Sequence, residues 1–206
     1  MAELVDALGL GSSINRCEGS SPFWCIMNFL ENTDILAGQI PEEYFTELEE
    51  YAFAAIEKRE PLGDTDNVSS KEEWRMEIPS KFEFWLSVMT HSKGRLHKED
   101  RGFFGIEHTH FSIDDMWVNV MSQGDVHHPH THQNCLYSFV AYIDVADGDA
   151  PFYFIQDNMG KSLNIDRRSK SMIMVFPSTM IHTVFQQTTA NHRVSVSGNI
   201  GIHIDR

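Results

Sequence analysis

The sequence predicts a mainly β fold, a jelly roll (double-stranded β-helix) preceded by a helical section, and three observations carry it. From Met116 onward, runs rich in Val, Ile, Phe and Tyr alternate with short turn clusters. Two of these runs, Cys135–Val145 and Ser171–Phe176, are almost continuously apolar, as expected of strands covered on both faces. The last run, Arg193–Ile204, alternates instead: Arg193, Ser195, Ser197, Asn199 and His203 share one face, and Val194, Val196, Ile200, Ile202 and Ile204 the other. A polar row on a strand of a greasy sheet points to a wall lining a wet cavity. Several antiparallel strands after a helical section read as a jelly roll with flanking helices.

The elements follow in order. Residues 1–26 show neither helical nor strand periodicity, and they resemble the conceptual translation of a leucine transfer-RNA gene. Met1–Leu8 back-translates to a D-arm, and Gly19-Ser20-Ser21-Pro22 to a T-arm. The expectation is that synthesis begins at Met27, that residues 1–26 are a non-native or disordered extension without function, and that 27–206 form one domain. Pro41-Glu42-Glu43 opens a helix, with proline in the first turn and acids near the positive end of the dipole. Tyr44, Leu48, Tyr51, Ala55 and Ile56 then recur at helical spacing to about Arg59, and Pro61-Leu62-Gly63-Asp64 ends the helix. Ser69-Ser70-Lys71-Glu72 has the form of a capping box and starts a second, short helix. Residues 81–92 read as mixed structure, with Phe82, Phe84, Trp85 and Leu86 as core. The remaining strands are expected at Met116–Met121, Pro151–Gln156 and Thr183–Gln187. Turns are expected at Gly124-Asp125, Ala146-Asp147-Gly148-Asp149 and Asn158-Met159-Gly160.

Composition excludes several classes. The 206 residues include 16 Lys+Arg against 30 Asp+Glu, a formal charge of −14, which argues against non-specific nucleic-acid binding. No apolar run approaches the roughly 18–20 residues of a membrane span, and no basic start with a greasy core marks a secretion signal. Three cysteines, Cys17, Cys25 and Cys135, lack zinc-site spacing and fit a reduced cytoplasmic compartment. Cys135, in an apolar run, reads as core rather than as a nucleophile.

The chemistry sits in the histidines. Four of the eleven fall within His127-His128-Pro129-His130-Thr131-His132. On an extended chain, residues two apart point the same way, so His130 and His132 can converge on one ion. Imidazole is a favoured ligand for iron, zinc, copper and nickel. His182, read as lying in a loop between two late strands, is the candidate third ligand. The same HxH pair also occurs on solvated turns, and Asp125 and Asp144 are the neighbouring carboxylates. His127 and His128 read as loop or rim residues, and His108-Thr109-His110 as a preceding strand or loop. Arg193 offers a planar fork suited to a carboxylate, with Ser195 adding a hydroxyl beside it. Its partner is either a bound ligand or an internal Asp or Glu.

Trp117-Val118-Asn119-Val120, Gly124-Asp125, Pro129-His130-Thr131-His132, Ser138 through Tyr142, Phe154, Phe176-Pro177, His182 and Arg193-Val194-Ser195 occur in this order. Together they resemble the iron- and 2-oxoglutarate-dependent oxygenases, in particular a branch with the pattern W-x-N, H-x-H-P, S-G-V-Y-Y, F-P, H and R-x-S. The resemblance covers 116–200 well and 27–115 loosely. It implies His130 and His182 as Fe(II) ligands, Arg193 with Ser195 on the distal carboxylate of 2-oxoglutarate, and Asn119 and Tyr142 as pocket residues. His132 stands where most of the superfamily has a carboxylate, which gives a three-histidine site. The chain departs from the branch at Gln133, Phe139 and Ala141. The implied activity is hydroxylation of an unactivated C–H bond in a peptide, amino acid or small metabolite, by an enzyme without nucleic-acid or membrane partners, and with homodimerisation open. A three-histidine cupin without cosubstrate is the alternative, since Gly124 and His130-Thr131-His132 resemble the start of that family's first motif. A metal-free jelly-roll binding protein is the third class.

Overall fold

The computed structural model describes residues 24–30, 33–58, 77–93, 109–156 and 159–204. Among them are ten strands and two α-helices: β1 (Trp24–Leu30), β2 (Thr33–Gln39), α1 (Glu42–Glu57), α2 (Ser80–Lys93), β3 (Thr109–Met121), β4 (His127–His130), β5 (Tyr137–Asp144), β6 (Phe152–Gln156), β7 (Met159–Leu163), β8 (Met172–Pro177), β9 (Ile181–Val184) and β10 (Arg193–Ile204). They form a large antiparallel sheet in the order β1-β2-β8-β5-β10-β3 and a small one in the order β4-β9-β6-β7. This is the jelly roll expected from the strand pattern.

Strand periodicity explains how the layers are filled. In β5 every residue from Tyr137 to Ile143 is buried. Phe139 and Ala141 join the core between the large sheet and the helices, while Val140 and Tyr142 join the core between the two sheets. Ile173 and Val175 of β8 likewise face the helices, and Met172, Met174 and Phe176 face the small sheet. A strand sandwiched in this way has no polar face to show, hence the unbroken apolar runs. In β10, Val194, Val196 and Ile200 pack toward the helices, and the odd-numbered polar residues turn to the other side.

The helices cover the outer face. Proline has no N–H to donate, and Pro41 serves as the N-cap of α1 rather than its first turn, with Glu42 and Glu43 following at the positive end of the dipole. The helix buries Phe45, Leu48, Tyr51, Ala52 and Ala55, and the Tyr51 hydroxyl donates to the Met116 carbonyl at 3.3 Å. Residues 80–93 form a single helix rather than mixed structure. Glu83 ties it to the large sheet by accepting from the Ile113 amide at 3.2 Å. Phe82, Trp85 and Leu86 are core, whereas Phe84 is 69% exposed and is not.

Other boundaries shift. Of the turn expected at Asn158-Met159-Gly160, Met159 and Gly160 belong to β7, and Asn158 lies outside the described residues. The first long strand begins at Thr109, so Thr109 and His110 belong to β3, with His110 opposite His203. The strand expected at Thr183–Gln187 is Ile181–Val184. The capping box at Ser69 and residues 1–23 of the expected extension lie outside the described residues. No helix among the described residues is long and apolar enough to cross a membrane.

Candidate metal centre and ligand pocket

His182 lies within β9, not in a loop, and pairs with His130 of β4 across the small sheet. His132 follows β4 on a segment whose backbone N–H donates to the Ser178 carbonyl at 2.9 Å. These contacts bring three imidazoles together, each offering a nitrogen within 4.8 Å of the other two. Among the described residues they are the only such group, and neither Asp125 nor Asp144 belongs to it.

Backbone carbonyls fix the rings. A carbonyl can only accept, so His130 Nδ1–H donates to His128 O at 2.7 Å and His182 Nδ1–H donates to Met180 O at 2.9 Å. Both rings therefore present an Nε2 lone pair, the outer-shell arrangement usual for metal-ligating histidine. His132 Nε2 faces His182 Nε2 at 3.3 Å. Nitrogens this close could be shared by one ion.

Aromatic rings hold the cluster from outside. Trp117 stacks on His132 at 5.5 Å between centroids, and Phe152 stacks on His182 at 5.6 Å. Phe176 meets His182 edge-on at 4.9 Å. Burial, aided by the charge of His130, pushes His132 down to about 4. Burial likewise pushes His182 down to about 3, against the raising effect of its bond to Met180. Both imidazoles are thus neutral at physiological pH, as metal ligation requires.

The cluster opens into a pocket of about 500 Å³. Its large-sheet wall carries Asp115, Trp117 and Asn119 from β3, Ser138 from β5, and Arg193, Ser195, Ser197 and Asn199 from β10. The polar row read from the last strand therefore lines a cavity, with the exception of His203. That residue lies beyond the pocket and pairs with Asp114 at 2.7 Å. Asn119 donates to Ser197 Oγ at 2.9 Å.

Arg193 is the anomaly of this wall. It is 1% exposed, and its Nε and Nη2 have no hydrogen-bond partner among the described residues. Its Nη1 reaches only the Met121 sulfur, at 3.4 Å, and its guanidinium lies 5.2 Å from the centre of the Tyr142 ring. Burial lowers its pKa from the ordinary arginine value. Of the two partners left open by the sequence, an internal carboxylate is not seen among the described residues. Asp149 is the carboxylate whose charge Arg193 feels, yet it is occupied by the Gln187 side chain at 2.8 Å and the Ala146 amide at 2.7 Å. A buried charge without a carboxylate partner is costly, and an anion bound in the pocket would offset that cost. Tyr142 is fully buried behind Arg193 rather than on the pocket wall, and burial pushes its hydroxyl up to about 12.

The donor set fits a divalent transition metal: three imidazoles, two of them with tautomers fixed by backbone carbonyls, beside a hollow that carries Arg193. Sequence reading missed the stacking role of Trp117, although Trp117 and Asn119, two apart on one strand, share a face. His127 and His128, read as loop or rim residues, both line the pocket. His127 opens β4, is half-buried and lines the pocket. Cys135 is half-buried and unpaired.

No family model matches the chain, and no curated protein matches it. Among solved structures it is similar to an oxidoreductase of the 2OG-Fe(II) oxygenase family from Burkholderia pseudomallei. The identity is 12% and the TM-score 0.51, over 80% of this chain and 84% of that one. It is also similar to a Pseudomonas putida prolyl-4-hydroxylase at 14% identity and TM-score 0.49, over 82% and 87% of the two chains. The first likeness shows that this chain and the Burkholderia oxidoreductase share the jelly-roll fold.

Proposed function

We propose that the protein is an Fe(II)- and 2-oxoglutarate-dependent oxygenase that hydroxylates an unactivated C–H bond of a peptide, amino acid or small metabolite. One observation carries this reading: three clustered imidazoles and a buried guanidinium with no carboxylate partner among the described residues open into the same pocket. When bound, iron and 2-oxoglutarate supply the oxygen chemistry, in which dioxygen hydroxylates the substrate while 2-oxoglutarate is converted to succinate and carbon dioxide.

The chain's own residues bind and orient. His130, His132 and His182 hold the ion through nitrogen lone pairs, on rings locked by backbone carbonyls and aromatic stacking. Arg193 pairs with the distal carboxylate of 2-oxoglutarate, and Ser195 donates a hydroxyl beside it. Phe152, Phe176 and Val184 line the same space and keep water from the ion. Trp117, Asp115, Ser138 and Asn199, farther along the large sheet from Arg193, offer an aromatic face and polar groups to the substrate.

His132 favours a second reading, a three-histidine cupin-like metalloprotein without cosubstrate, because a carboxylate is missing from the ligand set. Oxygen uptake by the iron-loaded protein, measured with and without 2-oxoglutarate, separates the two. The oxygenase reading expects uptake and succinate only when 2-oxoglutarate is present. Uptake that ignores 2-oxoglutarate would favour the cupin reading.

A further inference from the structure

His127 lines the pocket and has no part in the three-histidine cluster. It pairs with Val184 of β9, so its side chain shares the pocket-facing side of the small sheet with Val184 and His182. Its backbone is well pinned: its carbonyl accepts from the Thr183 hydroxyl. The turn before it is tied to Gln187 by two backbone bonds, Gly124 N–H to Gln187 O at 2.8 Å and Gln187 N–H to Asp125 O at 2.9 Å. No described residue hydrogen-bonds its ring.

Burial above all, and then the charge of Arg193, holds the His127 imidazole down at about 4. A neutral ring beside a buried guanidinium adds an N–H donor without adding repulsion. Arg193, which lines the same pocket, has two unsatisfied donors. Arg193 and Ser195 stand on β10 of the large sheet, whereas His127 stands on β4 of the small one.

We infer that His127 is a further binding residue for the distal carboxylate of the keto acid, donating to it from the small sheet while Arg193 and Ser195 hold it from the large one. This rests on the 2-oxoglutarate reading above. The ligand class it selects is a 2-oxo acid with a second carboxylate at the far end, clasped between the sheets.

The test uses the full chain loaded with Mn(II) and compares 2-oxoglutarate with 2-oxovalerate, which carries a methyl group in place of the far carboxylate. Affinities come from calorimetry, directly or by displacement. In His127→Phe, 2-oxoglutarate should bind about tenfold or more weakly, the loss of one hydrogen bond to a charged group. Mn(II) affinity and 2-oxovalerate affinity should stay within about threefold of wild type, because neither involves the far carboxylate. His127→Gln keeps a neutral N–H donor and should recover part of the loss; it also serves should the phenylalanine variant fold poorly. Normal 2-oxoglutarate binding in both variants would overturn the inference, as would equal weakening of the two keto acids, or a loss of Mn(II) affinity matching that of His130→Ala. If instead wild type binds no 2-oxoglutarate, or Arg193→Gln binds it normally, the underlying reading falls first.

Discussion

His130 and His182 are direct cross-strand partners between β4 and β9, so strand register itself brings their rings to 4.3 Å between centroids. A slip of one residue on either strand would turn one ring to the opposite face. His132 is added by the segment beyond β4, and its ring lies nearly parallel to that of His182, at 5°. Two of the three imidazoles are thus set by the ladder and one by the segment that follows it.

Removing the ladder ligand should abolish the centre. His182→Ala is expected to weaken Fe(II) binding by more than the ~10–100-fold that loss of an outer-shell partner costs. His132→Asp should do the opposite, because a carboxylate adds a negative charge opposite the ion. Anaerobic Fe(II) titration of both variants checks this, and weaker binding by His132→Asp than by wild type would count against the assigned role of that position.

In the proposed function Arg193 trades stability for binding. Truncation to alanine leaves the ligand carboxylate unpaired in a buried site, a loss of roughly 3–5 kcal/mol, or ~100-fold or more in 2-oxoglutarate affinity. The ligand-free protein should respond in the other direction. An apolar side chain of similar reach removes an unpaired buried charge, so Arg193→Met should be more stable by about 1–4 kcal/mol in denaturant unfolding while binding 2-oxoglutarate ~100-fold or more weakly.

Gly198 of β10 faces Phe139 of β5. A Cβ at position 198 would lie 2.5 Å from the Phe139 ring and 2.6 Å from the Asp115 carbonyl. Gly198→Ala should therefore destabilise by about 1–3 kcal/mol. Combined with Phe139→Leu, the loss should be smaller than the sum of the two single losses, since the ring gives way but the carbonyl does not. Urea unfolding of the four proteins measures this.

Metal removal should lower the melting temperature reversibly. An ion bound only by the folded state adds stability by mass action, about 4 kcal/mol at a thousandfold excess over its dissociation constant. Thermal melts before and after chelation, then after returning Fe(II) without oxygen, should show the loss and its recovery, and His182→Ala should show neither.

The sequence made the β architecture legible through period-two patterning: β10 begins and ends where its alternation does, and the unbroken runs of β5 and β8 reflect burial on both faces. The HxH pair, His182 and Arg193 were legible as residue types suited to their chemistry. What escaped depends on tertiary partners. Phe84 is as apolar as Phe82, and only the position of the sheet decides which one is covered. The strand at Met159–Leu163 opens with turn-like Met-Gly and is stabilised by pairing with β6. The opening of β4 at His127, and its place opposite Val184, follow from the β4–β9 ladder.

The most direct test is anaerobic titration of the protein with Fe(II) and 2-oxoglutarate, following the weak visible band of a keto acid chelated to iron. The account predicts a band in wild type only when both are present, none in His182→Ala, and in Arg193→Ala a band that appears only at ~100-fold higher 2-oxoglutarate. No band in the folded, iron-loaded wild type, or one indifferent to residue 193, would contradict it.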